Sequence, residues 1–324
     1  MLRPVLGIDI AKAKFDACLL RSDGRLLGKV FPNTLTGFEL LMRWLAQHTT
    51  EPVHACLEAT GTYGAALALF LHEQQHVVSL IDPAAIKAFA ASRLTRSKTD
   101  QVDATLIARF CATQTPPAWT PAAAEVQELQ ALVRRLDALI EMRTMERNRL
   151  SAGETLAAVR TSIAGHLAYL QQEIAQTEQL IQQHIRQHTA LQTQFLLLLS
   201  IPGIGSATAA LLLAEINFAT FRNARQVAAF VGVVPRLRQR GSSVRGRSRL
   251  SKLGSSRVRH ALYFPAVTAL RCSPSMQRWA DGLRARGKCE LQIIGAVMRK
   301  VVHQAFGVLK SGRPYDPRLA SSGR

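Results

Sequence analysis

Acidic residues are almost absent from the carboxy-terminal part of this chain. Residues 191–324 carry 22 Lys and Arg against 4 Asp and Glu, and no acid lies between Ile216 and Ala280. Residues 1–190 are nearly balanced, with 19 basic and 18 acidic residues. Positive charge concentrated in one part of a chain indicates a polyanionic partner, most simply nucleic acid.

Long apolar runs are also missing. The longest, such as Phe195–Leu199, are far shorter than the ~18–20 residues that a membrane span needs. No signal peptide is recognisable. An anionic membrane surface is the alternative partner for so basic a chain, but these absences favour a cytoplasmic protein with no membrane partner.

Cysteine is sparse and shows no metal-binding spacing. The five cysteines are scattered and odd in number, and none forms a CxxC pair: Cys18, Cys56, Cys111, Cys272 and Cys289. This distribution argues against a disulfide framework and against a zinc site, and it fits a reducing cytoplasm.

The amino-terminal third predicts a mixed sheet. Short apolar runs predict strands at Val5–Ile10, Phe15–Leu20, Leu26–Phe31, His54–Glu58 and Val77–Ile81. Helical patterns separate the later strands. Three antiparallel strands followed by alternating helices and strands is the order of an RNase H-like sheet, in which the first and fourth strands are neighbours.

Four acids are expected to converge on this sheet. Asp9 interrupts the first strand, where the plain reading is a cap of the following turn. Glu58 ends the fourth strand. Asp100 and Asp103 lie three residues apart at the start of a predicted helix, and therefore on one face of it. Four neighbouring carboxylates repel one another unless hard divalent cations bind them, so we predict a Mg²⁺ site formed by all four.

The middle of the chain predicts two long helices. Prolines at positions 116, 117 and 121 mark a boundary, after which apolar residues recur every three or four positions in two runs. These helices fit an antiparallel hairpin, a coiled coil between protomers, or a bundle internal to one chain. We expect a catalytic domain over 1–118, a helical spacer over 119–190 and a mostly helical domain over 191–324.

The carboxy-terminal third contains two candidate nucleic-acid-binding features. Two apolar helical halves flank Pro202-Gly203-Ile204-Gly205, the pattern of a helix-hairpin-helix, whose backbone amides bind phosphate; a plain turn between packed helices is the alternative. Arg236–His260 holds nine Lys and Arg and no acid, which we interpret as a basic loop. The predicted phosphate-binding residues are Gly203, Gly205, Arg236, Arg238, Arg240, Arg245, Arg247, Arg249, Lys252, Arg257 and Arg259.

Three blocks carry a family resemblance. GIDIAKAKFD, LEATGTYG and SKTDQVDATLIARF resemble the motifs of the DEDD transposases of bacterial insertion sequences. That family is related to Piv-type DNA invertases, has a Holliday-junction-resolvase-like catalytic domain, and includes bridge-RNA-guided recombinases. The resemblance implies that Asp9, Glu58, Asp100 and Asp103 are catalytic and that the spacer is a dimerising coiled coil. It also implies a homo-oligomer (dimer or tetramer) that acts in the bacterial nucleoid on DNA with a structured guide RNA.

The resemblance also implies a serine nucleophile, and here the chain departs from the pattern. The expected serine precedes the glycine of the GSSVRG block, where this chain has Arg240. Either Ser242 or Ser243 supplies the hydroxyl after a small loop shift, or this copy has lost strand transfer. Arginine cannot attack a phosphodiester, which favours loss.

Three functions therefore remain to be separated. The leading one is an insertion-sequence transposase that cleaves and transfers DNA strands with Mg²⁺. The enzymatic alternative is an RNase H-like junction-resolving nuclease, which uses water and needs no serine. The third is a relative that binds nucleic acid but has lost its chemistry.

Overall fold

The computed structural model describes residues 3–58, 63–92, 100–153, 156–240, 244–251 and 253–318, and the side chains of residues 100, 101 and 237–249 lie outside that description. Within it the chain divides into two compact units, residues 1–121 and 122–324.

The amino-terminal unit is built on a five-stranded mixed sheet. Its strands are β1 (Val5–Ile10), β2 (Lys14–Leu20), β3 (Leu26–Pro32), β4 (His54–Glu58) and β5 (Val77–Ile81). Their order is β3-β2-β1-β4-β5. β1 pairs antiparallel with β2 and parallel with β4, which confirms the predicted adjacency of the first and fourth strands. All five strands form within one or two residues of their predicted positions.

Four helices cover the two faces of this sheet: α1 (Leu35–His48), α2 (Ala65–Glu73), α3 (Pro83–Ser92) and α4 (Asp100–Gln114). Side chains alternate across a strand, so successive residues of β1 enter two different cores. Leu6 and Ile8 pack with residues of α1 and α2, whereas Val5 packs with residues of α3 and α4. The strands β1, β2 and β4 are therefore buried on both faces, which explains why they are almost continuously apolar, whereas the edge strand β3 is mostly exposed.

The second unit begins with two long helices, α5 (Ala124–Ser151) and α6 (Ala157–Gln187). A His184 ring nitrogen lies 2.7 Å from the Glu125 carbonyl, and Arg143 donates to Gln171 at 3.1 Å, so the helices run antiparallel. The two helices therefore form the predicted antiparallel hairpin. Their apolar residues also share a core with later helices of the same chain, as in the predicted internal bundle, whereas a coiled coil between two copies stays a prediction.

The rest of this unit is mostly helical, with a short 3₁₀ turn at Phe218–Thr220 and a β-hairpin. The elements are α7 (Thr189–Leu199), α8 (Ser206–Glu215), α9 (Ala224–Val231), β6 (Pro235–Arg240), β7 (Val244–Leu250), α10 (Ser256–Ala261), α11 (Tyr263–Cys272), α12 (Pro274–Arg284) and α13 (Glu290–Ser311). Apolar residues of the α5–α6 hairpin share one core with those of α8 and α13. The predicted boundary near residue 190 is therefore not a break in packing, and the three-domain division stays a prediction.

The predicted basic loop is wrong in its local structure. Residues 235–240 and 244–250 form the antiparallel strands β6 and β7, with Arg236 opposite Arg249 and Arg240 opposite Val244. Arginine at every second position, 236, 238 and 240 and again 245, 247 and 249, is the period-two pattern of strands. The scarcity of apolar residues in the two strands concealed this pattern.

Candidate metal centre and basic surface

Asp9 and Glu58 occupy neighbouring positions at one edge of the sheet. Asp9 is the penultimate residue of β1 and Glu58 is the last residue of β4. The parallel register pairs Ile8 with Leu57, so Asp9 and Glu58 come next on the two strands. Both acids are half-buried. They share the sheet face of Gly7 and Cys56, which precede them by two residues each.

Helix α4 lies on this same face, in contact with Gly7. A Cβ at Gly7 would collide with the Ala104 carbonyl oxygen and would lie 2.8 Å from the Cα of Ala108. No side chain is compatible with so close an approach of helix and strand. Glycine at position 7 is therefore what allows α4 to rest directly on β1.

The direction of α4 carries its two acids toward the edge formed by Asp9 and Glu58. Near the end of the helix, Cys111 Sγ lies 3.8 Å from the carbonyl oxygen of His54, the first residue of β4. Ala104, about two turns earlier, lies on Gly7. The helix thus runs opposite to β1 and β4, and its first turn, which contains Asp100 and Asp103, extends toward the carboxyl ends of these strands. Asp103 is half-buried, and the Asp100 side chain lies outside the description.

A fifth acid, Asp16, lies on the same face and was missed in the sequence. It pairs directly with Asp9 across the antiparallel β1–β2 ladder and is 6% exposed. Lys14 Nζ lies 3.3 Å from Asp16 Oδ2 and supplies an opposite charge. The signal was present, because folding the first two predicted strands about their turn places positions 9 and 16 opposite each other.

In the turn between α7 and α8, which was predicted to be a helix-hairpin-helix, packing explains one of the two glycines. Gly203 has φ +94°, and a Cβ there would collide with the Pro265 carbonyl oxygen of α11. Gly205 precedes α8 with open space around it. The turn is therefore needed for packing against α11, and its contact with phosphate stays a prediction.

Two of the predicted phosphate-binding arginines are engaged within the protein. Arg257 forms ion pairs with Asp137, at 2.6 Å, and with Glu215, at 3.4 Å. Arg259 donates to the Val231 carbonyl oxygen at 3.1 Å. Arg236, in contrast, is exposed at the start of β6. The structure thus provides an internal role for Arg257 and Arg259 that the charge pattern did not indicate.

The structure describes only some of the remaining basic residues and serines that were predicted to contact nucleic acid or to act in catalysis. Ser242, Ser243 and Lys252 lie outside the described residues. For the other predicted arginines of the hairpin the description gives the backbone strand position alone; these are Arg238, Arg240, Arg245, Arg247 and Arg249.

The cysteine pattern argued against a disulfide framework, but it did not indicate the one disulfide that the described residues contain. Cys56 of β4 and Cys111 of α4, 55 residues apart in sequence, are joined by a disulfide with a Cα–Cα distance of 6.2 Å. Nothing in the spacing of scattered cysteines shows that a strand and a distant helix will be packed together. Burial, together with the charge of Arg3, lowers the pKa of the adjacent His54 imidazole, which is therefore neutral at pH 7.

None of the helices in the part of the chain that is described is long and apolar enough to cross a membrane.

Each of the two units contains a segment that matches a transposase family model. Residues 6–160 match the family model of IS110-type DEDD transposases, and residues 196–280 match the model described as transposase of the IS116/IS110/IS902 family. The pilin gene-inverting protein of Moraxella bovis is 33% identical over 323 residues, which cover 98% of this chain and 99% of that protein. The transposase for insertion sequence element IS1328 of Yersinia enterocolitica is 27% identical over 96% of this chain and 98% of its own length.

A third relative is a probable family 20 transposase of Pseudomonas aeruginosa, 29% identical over 81% of this chain and 86% of its own length. The matched segments include the strand and helix that bear Asp9 and Asp103 as well as the hairpin rich in arginine. The chain therefore belongs to the IS116/IS110/IS902 family of transposases.

Proposed function

We propose that this protein is the recombinase of an insertion sequence, which cleaves and transfers DNA strands at a metal centre formed by Asp9, Glu58, Asp100 and Asp103. The observation that carries the proposal is the position of Asp9 and Glu58 at adjacent strand ends on the face covered by α4. The strand order β3-β2-β1-β4-β5 supports assigning the sheet to the RNase H-like class. Membership of a transposase family supports DNA as the substrate.

The donor set fits Mg²⁺. All four side chains offer carboxylate oxygens, the ligands that hard divalent cations prefer. Two of the acids, Asp9 and Glu58, are half-buried on one sheet face, where a bound cation would offset the repulsion between like charges. A cation held by these residues would supply charge stabilisation to the attacking and leaving oxygens of a phosphodiester. The acids would determine where the cation lies, because two of them belong to β1 and β4 and the other two belong to α4, which packs on these strands.

The carboxy-terminal unit is proposed to hold the nucleic acid. Its excess of basic residues favours contact with the phosphate backbone, which is independent of base sequence. The α7–α8 turn is proposed as a helix-hairpin-helix and the β6–β7 hairpin as a second contact. Phosphates of DNA and RNA attract these cations equally. The structured guide RNA therefore rests on the family resemblance, and RNA copurifying with the protein is its test.

Arg240 stands where the family resemblance implies a serine, so the identity of the nucleophile is an open part of this proposal. In serine-dependent transfer, a hydroxyl attacks phosphorus, loses its proton and displaces a sugar oxygen, which conserves the energy of the phosphodiester. Ser242 and Ser243 are the candidates within the GSSVRG block. Arg240 at the expected serine position favours the second candidate function, a nucleic-acid-binding relative without strand transfer.

Excision in cells tests the proposal. The protein is expressed with its own element, and circles are quantified by amplification across the joined ends. We expect circles from the unaltered chain and none from a Ser242→Ala/Ser243→Ala variant. If the double variant still cleaves DNA but does not join it, water is the nucleophile and the protein is a nuclease. If the unaltered chain makes no circles and Arg240→Ser restores them, the chain has lost its chemistry.

The basic residues give a prediction with a built-in control. We expect Arg236→Ala to weaken binding to a short DNA duplex and to reduce the slope of log K against log salt by about 1, with unchanged stability, because one exposed phosphate contact is lost. Arg257→Ala should lower stability and leave DNA binding unchanged. The substitution removes the ion pair of Asp137 and leaves Glu215 paired with Arg134, so the free energy of unfolding should fall by about 1–2 kcal/mol.

Fluorescence anisotropy at several salt concentrations and urea unfolding measure the two effects. Equal loss of DNA binding in both variants, with no change in stability, would contradict the internal role of Arg257. An unchanged salt slope for Arg236→Ala would remove this residue from the nucleic-acid surface.

The spacer supports an oligomer of this chain. Large apolar side chains are exposed along the α5–α6 hairpin, including Met145, Tyr169 and Leu180, which are 51–54% exposed. A dimer or tetramer would cover such residues, and strand exchange between two DNA sites needs more than one active centre. The site of action is proposed to be the bacterial nucleoid in the cytoplasm.

A further inference from the structure

A buried sulfur pair connects the two elements that carry the proposed metal ligands. Cys56 and Cys111 are 0% and 1% exposed, and they join β4 to α4. Glu58 lies two residues beyond Cys56 on the same face of β4. Asp103 lies two helical turns before Cys111 on α4. The disulfide is therefore at one end of the β4–α4 contact, and the acids are at the other end.

The helix rests on Gly7 through Ala104 and Ala108, which lie between Asp103 and Cys111 in sequence. On the sheet, Gly7 is level with the disulfide, because it pairs in register with Cys56 of β4 and with Cys18 of β2. Because Gly7 has no side chain, nothing on β1 at this point interlocks with α4 to fix its position along the strand. Other contacts of α4 must fix that position. The covalent link at Cys111 restricts sliding and tilting of α4 more than any single non-covalent contact can.

We propose that Cys56 and Cys111 form a redox-sensitive clasp: their disulfide holds α4 on β4, and its reduction loosens the edge at which Glu58 and Asp103 lie. The effect on metal binding rests on the function proposed above, whereas the oxidation site itself does not. Formation takes two thiol–disulfide exchanges with a small-molecule disulfide. One thiol attacks the small disulfide and releases one small thiol. The second thiol attacks the mixed disulfide and releases the other, so two electrons and two hydrogens pass to the oxidant.

Burial determines when the exchange occurs. With both sulfurs inaccessible, neither oxidant nor reductant reaches them unless α4 lifts from the sheet or the chain has not finished folding. A reducing cytoplasm keeps exposed thiols reduced, but a clasp closed during folding is shielded from it. The state of the pair thus records the redox conditions under which the protein folded or last opened.

Cys18 provides a matched control. It lies in the same row across the sheet, it is buried beneath the same helix, and Thr105 of α4 donates to its sulfur at 3.4 Å. The structure joins it to no second sulfur. A Cys18→Ala variant therefore removes a buried thiol under α4 without removing a disulfide.

The test uses the purified full-length chain refolded with oxidised or with reduced glutathione. After denaturation and alkylation, mass spectrometry should find three alkylated cysteines in the oxidised sample, Cys18, Cys272 and Cys289, and all five in the reduced sample. The oxidised chain should unfold at a temperature higher by roughly 10 °C, because the link joins residues far apart in sequence. It should also bind Mn²⁺ more tightly, by roughly tenfold.

Variants decide what causes these shifts. Cys56→Ala/Cys111→Ala should show neither shift between the two redox conditions, and Cys18→Ala should keep both. If five alkylated cysteines are found under both conditions, the clasp is refuted. About one zinc ion retained per reduced chain and absent from the double variant would also overturn it, because the sulfurs would then be metal ligands together with His54, whose ring nitrogen lies within 4.8 Å of them.

The experiment can refute the clasp and the proposed metal centre independently of each other. If the alkylation pattern and the shift in unfolding temperature appear but no Mn²⁺ binds in either state, the oxidation site stands and the metal function is wrong. If Mn²⁺ binds equally in both states, the metal centre stands and the coupling of the clasp to it is refuted.

Discussion

Asp103→Asn should lower strand exchange by roughly a thousandfold or more. The substitution keeps the size of the side chain but removes a negative donor, and charge stabilisation by a bound metal contributes several kcal/mol to such a reaction. The variant should fold normally, because Asp103 is half-buried at the start of α4 and asparagine is similar in shape. Circle formation measures the loss, and Mn²⁺ titration should show weakened binding in parallel.

Asp82→Asn is the matched control for this prediction. Asp82 follows β5, next to the strand that ends in Glu58, and its Oδ1 accepts from the Ala84 amide at 2.8 Å at the start of α3. Asparagine keeps that oxygen, so circle formation and Mn²⁺ affinity should be unchanged. Similar losses in both variants would mean that the sheet edge tolerates no substitution, and the specific role of Asp103 would be unsupported.

Gly7→Ala is expected to have the largest effect on stability. The new methyl group would meet the backbone of α4 at Ala104 and Ala108, and backbone atoms cannot rotate away as a side chain can. Either α4 lifts or β1 distorts, so the free energy of unfolding should fall by about 3 kcal/mol. Metal binding should fall as well, because the displaced helix carries Asp100 and Asp103.

Gly64→Ala in the same unit separates this effect from the general cost of replacing glycine. A Cβ at Gly64 would lie 3.6 Å from Ile10 Cγ2, an ordinary contact, and the expected loss is under about 1 kcal/mol. Urea unfolding of both variants measures the difference. Equal stability of Gly7→Ala and the unaltered chain would contradict the close packing of α4 on β1.

The sheet was predictable because its signals are local. Each of the five strands is a short apolar run bounded by turn residues, and the order of elements was enough to predict that β1 and β4 are neighbours. Asp9 and Glu58 could be brought together on that basis alone. Asp16 could also have been found, since the register of β1 and β2 follows from their turn.

Contacts between distant elements were not predictable in the same way. The Cys56–Cys111 disulfide depends on how far α4 extends along β4, which no spacing in the sequence records. Likewise, Arg257 belongs to a basic run, yet it reaches Asp137 on α5 and Glu215 on α8. Net charge identifies a basic surface, but only tertiary packing decides which of its cations are already paired.

The strands of the basic segment show a different limit. Period-two alternation was present in the arginines, but strand recognition relies on apolar residues facing a core. The β6–β7 hairpin has few of them, and so it resembled a loop. Its backbone pairing brings Arg236 and Arg249 to opposite positions, a clustering of charge that a flexible loop would not require.

Anomalous diffraction from crystals grown with Mn²⁺ would locate the proposed metal among its ligands. We expect anomalous density bound by carboxylate oxygens of Asp9, Glu58 and the first turn of α4, and its disappearance in crystals of Asp103→Asn. Density confined to other acids, or no density at this edge of the sheet at Mn²⁺ concentrations that support DNA cleavage, would contradict the proposed metal centre.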